Sequence, residues 1–179
     1  QLADAKVAIV PQDGGFVAAG DGRRCTAVVV STAVEDRVPD VQAAREAGIP
    51  VLHRSELLAR YVTAHRTIAV TGTSGKSTVT AMVFTILQAA GLRPGLLTGG
   101  PLVALQASGR LGNAWAPGGD ATPGGDQMSG TDAAPPWLVI EADESDGSVV
   151  RYRPWAGVVL NLGLDHKTPG EVLEMFTTF

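Results

Sequence analysis

The sequence predicts an α/β protein: a partial Rossmann-like N-terminal domain, then a doubly wound, parallel-sheet ATPase domain of the phosphate-loop (P-loop) kind. Three observations predict it. Short β-branched apolar runs, bounded by turn residues, alternate with helical patterns along the chain, as βαβ units require. One such run, Ile68-Ala69-Val70, leads directly into Thr71-Gly-Thr-Ser-Gly75-Lys76-Ser77-Thr78 and a helix. An acid, Glu141, closes another run, Trp137-Leu-Val-Ile-Glu141, at the strand end where ligands of such sheets bind.

The elements follow in order. Val7 to Val10 and Ala27 to Ser31 are short, β-branched and read as buried strands. Asp40 is placed to cap a helix through Ala47, which Gly48 and Pro50 end. Val51-Leu52 resumes a strand. Ser55 is a suitable N-cap for a helix whose Leu57, Leu58, Tyr61 and Val62 share one face. After the 68–70 strand, Val79, Met82, Val83, Ile86, Leu87 and Ala90 recur at helical spacing, and Gly91 stops the helix. Gly95 to Thr98, Trp137 to Ala142 and Gly157 to Leu162 are further strands, with right-handed crossovers expected between them. Gly170 to Phe179 reads as a helix.

Residues 106–136 break this rhythm. They hold seven Gly and four Pro with almost no apolar periodicity, so the expectation is a surface loop largely without regular structure. Leu111 and Trp115 are its two candidates for docking on the sheet. At about 150 residues per domain, the 179 residues divide into a partial domain over 1–65 and a central domain over 66–179. The chain opens at Gln1 rather than Met and closes inside a helical pattern, so it reads as a piece of a longer protein.

Composition removes several classes. Fourteen Lys and Arg against eighteen Asp and Glu give a net charge of −4, the wrong sign for binding nucleic acid through its phosphates. The single cysteine, Cys25, excludes a disulfide scaffold and a cysteine-based zinc site and fits a reducing compartment. No apolar run approaches the roughly 18 residues of a membrane span, and no signal peptide is visible. No nucleic-acid or membrane partner is expected, and the cytoplasm is the expected location.

Three groups of residues carry chemistry. In the first, Gly72, Thr73, Ser74 and Gly75 let backbone amides curl around phosphate oxygens. The helix N-terminus adds partial positive charge there, Lys76 neutralises the β/γ oxygens, and Ser77 reaches Mg²⁺. Val70 stands where the standard pattern has its first glycine, so this is a variant loop; the bland alternative is a glycine-rich turn that binds nothing. In the second group, Glu141, Asp143, Glu144 and Asp146 crowd four carboxylates into six residues. That arrangement needs a cation, hydrogen bonds or full solvation. In the third, His166 follows a strand end after Asn161 and is either a metal ligand, a catalytic base or a structural histidine. His53 and His65 have no such context.

Taken together, Thr71-Gly-Thr-Ser-Gly-Lys-Ser-Thr78, Glu141-Ala-Asp-Glu-Ser-Asp-Gly147 and Asn161-Leu-Gly-Leu-Asp-His166 resemble the Mur ligase family. Thr98-Gly-Gly100 and the region of Asn113 look like the same family. Val28-Val-Val-Ser-Thr-Ala33 and Gly48-Ile-Pro-Val-Leu-His-Arg54 are similar to its UDP-binding domain. The resemblance covers most of the chain outside the Gly/Pro insert.

It implies an ATP-dependent amide ligase of peptidoglycan precursor synthesis, built from a UDP-sugar domain, a central ATPase and a C-terminal domain that would lie beyond Phe179. ATP would phosphorylate the carboxylate of a UDP-sugar acid, UDP-N-acetylmuramate, and the amine of an amino acid such as L-alanine would attack the acyl phosphate. Residue by residue, it implies that Gly72 to Thr78 and Asn161 bind ATP and that Lys76, Glu141 and His166 are catalytic. Ser77, Glu141 and His166 would hold Mg²⁺ or Mn²⁺, and Glu144 and Ser145 would face the substrate. Two departures stand out: the N-terminal region lacks the family's glycine-rich first turn, and Lys167-Thr168 follow the histidine where the family has an acid. Two other classes remain open, namely another P-loop kinase or ATPase and a non-catalytic nucleotide-binding relative.

Overall fold

A computed structural model of the chain describes residues 8–18, 25–103, 114–115, 135–143, 147–163 and 168–179. Contacts divide the chain into two compact units, Gln1–Leu58 and Ala59–Phe179. Among the described residues no helix is long and apolar enough to cross a membrane.

The first unit holds a short helix α1 (Gly15–Ala18), strand β1 (Val28–Val30), helix α2 (Pro39–Glu46) and strand β2 (Val51–His53). Helix α3 (Arg54–Ala64) begins here. β1 and β2 pair in parallel with Val28 opposite Val51 and Val30 opposite His53, so α2 is the crossover of a βαβ unit. Val41 and Ala44 are the buried positions of α2.

Three expectations are corrected in this unit. Residues 8–10 form no strand, and Ile9 is 76% exposed. A strand needs a hydrogen-bonded neighbour, and among the described residues β1 and β2 pair only with each other. Asp40 does not cap α2. The helix starts one residue earlier, at Pro39, whose fixed φ suits a first helical position, and the Asp40 carboxylate instead accepts from the Gly14 amide at 2.7 Å. Ser55 is likewise inside α3, which starts at Arg54; its hydroxyl pairs with His53 Nδ1 at 2.7 Å.

The second unit contains strand β3 (Arg66–Thr71), helix α4 (Lys76–Ala89), β4 (Gly95–Leu97), β5 (Ala114–Trp115), β6 (Trp137–Glu141) and β7 (Ala156–Val159). A 3₁₀ turn (Ser148–Arg151) precedes β7, and helix α5 (Pro169–Thr178) closes the chain. The sheet order is β5-β4-β6-β3-β7. β4, β6, β3 and β7 are parallel, and β5 runs antiparallel against Leu96 and Leu97. Apolar runs buried on both faces are what parallel sheets demand, and Leu138, Val139 and Ile140 of β6 are all buried. At the base of the sheet, the Arg66 guanidinium lies 4.4 Å from the Trp137 ring and 5.1 Å from the Trp155 ring. α5 is fixed by a reciprocal cap: Thr168 accepts from the Glu171 amide, and Glu171 accepts from the Thr168 amide.

Three details of the second unit differ from expectation. α4 buries Thr80 and Phe84, and Phe84 packs with Leu96 and Val139, flanked by Val83, Leu87 and Leu102. Met82 and Ile86, expected on the buried face, are 57% and 64% exposed. β7 ends at Val159 rather than Leu162, because the backbone from Leu160 onward turns its hydrogen bonds toward the loop after β3. Ala114–Trp115 form a strand within the segment expected to be largely without regular structure, and Trp115, one of its two candidates for docking on the sheet, pairs there with Leu96; Leu111 and most of 106–136 lie outside the described residues.

The order of strands also locates the site. From β3 the chain moves to β4 on one side, and β7 is added on the other side. The carboxyl ends of β3, β6 and β7 therefore flank a point where the winding reverses, the position at which open α/β sheets bind ligands.

Candidate active site

The loop between β3 and α4 passes through two backbone conformations that favour glycine, Gly72 with φ +133° and Gly75 with φ +85°. Gly72 is also hemmed in: a Cβ there would stand 3.1 Å from the Asn161 amide nitrogen and from Leu160 Cβ. Gly75 is the N-cap of α4 and offers no side chain to its amides, so the first turn of the helix presents N–H groups and the positive end of its dipole outward. Lys76 folds back over the loop, its Nζ donating to the Gly72 carbonyl at 2.8 Å.

Glu141 ends β6 one strand away, with Val70 as its register partner on β3. The Ser77 hydroxyl lies 3.0 Å from Glu141 Oε1 and 2.9 Å from Oε2. Oε2 also accepts from the Thr98 hydroxyl at 2.8 Å and from the Gly99 amide at 2.7 Å. The carboxylate is thus gripped by the ends of two elements, α4 and β4. Thr98 and Gly99 were not identified as donors by sequence reasoning. The readable signal was the Thr-Gly-Gly triplet immediately after a strand, since small residues there let a backbone amide reach a neighbouring strand's acid.

Asn161 lies beside the loop. Its Oδ1 accepts from the Ser74 amide at 3.0 Å and its Nδ2 donates to the Ser74 carbonyl at 2.9 Å. A cavity of about 580 Å³ opens beside the loop, lined by Ser77, Met82, Thr85, Ile86, Gly100 and Leu102 among others. Of the residues singled out from sequence, Gly72 to Thr78, Glu141 and Asn161 are in one neighbourhood. Glu144, Ser145 and His166 lie outside the described residues.

The donor set fits a hard divalent cation. Ser77 and Glu141 supply oxygen only, and no group of three or more His, Cys, Asp or Glu gathers among the described residues. Mg²⁺ commonly takes one or two protein oxygens and fills its remaining positions with phosphate and water.

A glycine-rich turn at a helix N-terminus, a lysine across it and a serine–carboxylate pair, all at the winding reversal of a parallel sheet, define a P-loop α/β protein. More narrowly, the chain is similar to the Mur ligase family. The model described as "Mur ligase family, catalytic domain" matches residues 1–66. The UDP-N-acetylmuramate–L-alanine ligase of Synechococcus sp. is 41% identical over 143 residues, covering 80% of this chain and 26% of that one. The corresponding ligase of Paenarthrobacter aurescens is 40% identical over 156 residues, covering 85% of this chain and 30% of that one. The solved UDP-N-acetylmuramate:L-alanyl-γ-D-glutamyl-meso-diaminopimelate ligase from Neisseria meningitides superposes with a TM-score of 0.72 at 26% identity, over 99% of this chain and 54% of that chain. A UDP-N-acetylmuramate–alanine ligase from Thermotoga maritima shares the fold, with a TM-score of 0.68 at 24% identity over 99% of this chain and 36% of that one. The chain spans between about a quarter and a third of the length of the curated relatives it matches.

Proposed function

We propose that the chain is the nucleotide-handling part of a cytoplasmic, ATP-dependent ligase that joins an amino acid, L-alanine, to the carboxylate of UDP-N-acetylmuramate. The observation that carries the nucleotide half of this reading is the Ser77–Glu141 pair at the mouth of the loop. The substrate half is supported by the names of the relatives, which are about 40% identical. In this reading residues 1–65 contribute to the UDP-sugar site and residues 66–179 form the ATPase. Glu144 and Ser145 face the sugar acid, His166 completes the cation site, and the remaining length of the relatives supplies the amino-acid side.

The residues divide the work as follows. The amides at the start of α4 and the Lys76 ammonium hold the β- and γ-phosphates. Ser77 and Glu141 hold the cation, which when bound neutralises phosphate charge and orients the γ-phosphoryl group. A carboxylate oxygen of the sugar acid attacks the γ-phosphorus and the bond to the β-bridging oxygen breaks, giving an acyl phosphate and ADP. The amine nitrogen then attacks the acyl carbon, inorganic phosphate leaves, and the amine gives up a proton. The chain's contribution is positioning and charge, which is most of what phosphoryl transfer asks of a protein.

The test uses a protein extended to the length of its relatives, with ATP, Mg²⁺, UDP-N-acetylmuramate and L-alanine. One amide formed per phosphate released is expected. Phosphate release that ignores the sugar acid would replace the ligase with an ordinary ATPase or kinase, and nucleotide binding without either product would leave a non-catalytic relative.

A further inference from the structure

The backbone after β7 is laced to the phosphate loop residue by residue. The Leu160 amide donates to the Thr71 carbonyl at 3.0 Å, and the Thr73 amide donates to the Asn161 carbonyl at 3.4 Å. The Asn161 side chain closes a two-way bridge with the Ser74 amide and carbonyl, and the Gly163 amide donates to the Thr73 hydroxyl at 2.7 Å. The partners are 87 to 90 residues apart in sequence, so this is a tertiary support and not a local turn. It takes up the Thr73 and Ser74 amides, both of which lie in the glycine-rich half of the loop. It also stands where the loop departs from the standard pattern: Val70 replaces the first glycine, and a neighbouring strand end shapes the turn from outside.

We infer that Asn161 is a positioning residue. It sets the shape of the phosphate loop through Ser74, with Thr73 and Gly163 as the second tie, and makes its contribution to nucleotide affinity without touching base or ribose. The phosphates are then left to the amides from Gly75 onward and to Lys76. An amide side chain suits this place because one planar group offers both an acceptor and a donor to the two polar atoms of a single residue. Aspartate offers only the acceptor, and alanine neither. The inference rests on the phosphate-loop reading, and its test separates the two.

The test is calorimetric titration of the 179-residue chain with ATP and, separately, with inorganic tripolyphosphate, each with Mg²⁺. Asn161→Ala should weaken both probes by the same factor, about tenfold for the loss of the bridge. Thr73→Val should do likewise, while Thr73→Ser, which restores the hydroxyl that accepts from the Gly163 amide, should recover most of the affinity that Thr73→Val loses. Melting curves for each variant identify any that fail to fold, and the Thr73 pair, a swap at one side-chain tip, tests the support independently. Loss of ATP binding with tripolyphosphate unchanged would make Asn161 a nucleoside contact and overturn the inference, as would unchanged binding of both probes. An unaltered chain that binds neither probe would remove the phosphate-loop reading itself and the inference with it.

Discussion

Among the described residues Glu141 and Lys76 are charges of the site: Glu141 is held by groups far from it in sequence, Lys76 by the loop that precedes it. Lys76 leans on the Gly72 carbonyl, a contact it can exchange for phosphate oxygens without moving its backbone. Lys76→Ala should therefore cost ATP at least tenfold in affinity, since a charge-assisted contact is worth about 1.5–3 kcal/mol; a titration with unaltered affinity would remove the assignment. Thr98 is 8% exposed and aims its hydroxyl at Glu141 Oε2. Thr98→Val should leave the carboxylate less fixed and raise the Mg²⁺ concentration needed for half-maximal nucleotide binding several-fold, while Thr98→Ser should not. Measuring nucleotide binding across a magnesium series for both variants decides it. The loop, the lysine and the acid were legible in sequence because glycine spacing and a strand-ending carboxylate leave local signals. The Thr98 and Gly99 grip was not, because it joins residues more than forty positions apart and depends on which strands become neighbours. The bridge from Asn161 was hidden for the same reason: spacing shows that it follows a strand, not that its amide turns back onto Ser74.

At the scale of elements, periodicity located α4 and two of its core-side residues, Val83 and Leu87, but placed Met82 and Ile86 on that face and left out Phe84. Both stripes of this helix carry apolar side chains, so spacing alone cannot choose between them. The sheet chooses, because Phe84 reaches Leu96 and Val139 while Met82 and Ile86 point outward over the cavity beside Ser77. Phe84→Ala should destabilise the second unit by about 3–5 kcal/mol, whereas Ile86→Thr should change stability by less than about 1 kcal/mol, as surface substitutions do. Chemical denaturation of the two variants makes the comparison, and equal losses would mean that the helix is turned the other way. The boundaries of α2 and α3 were off by one residue for a different reason. Pro39 starts α2 without a side-chain cap, α3 is entered from His53, whose Nδ1 accepts from the Ser55 amide, and the expected caps, Asp40 and Ser55, spend their side-chain polar atoms on Gly14 and His53. The strand expected over 7–10 fails at a third level, since β-branched residues make a strand only when a partner edge is present.

For the whole molecule, the argument turns on what the 179 residues can hold at once. The described site gathers a glycine-rich loop, a lysine and a serine–carboxylate pair, the groups that the proposed nucleotide and cation sites would use. Acyl transfer asks for more: carboxylate, γ-phosphate and amine must be held together in near-attack geometry, which can be worth roughly 7–11 kcal/mol. Ligases also profit from a closing element that excludes water from the acyl phosphate. The relatives bring to this task about three times the length present here. We therefore expect the 179-residue chain to bind ADP and ATP weakly and to form no amide, with any acyl phosphate lost to water. The measurement is a single incubation with ATP, Mg²⁺, UDP-N-acetylmuramate and L-alanine, followed for nucleotide, phosphate and amide together. Slow phosphate release without amide is the expected outcome. Amide product formed over many turnovers would show that these residues already contain both the phosphorylating and the amine-positioning groups, and would move the amino-acid site from the remainder of the relatives' length into this chain.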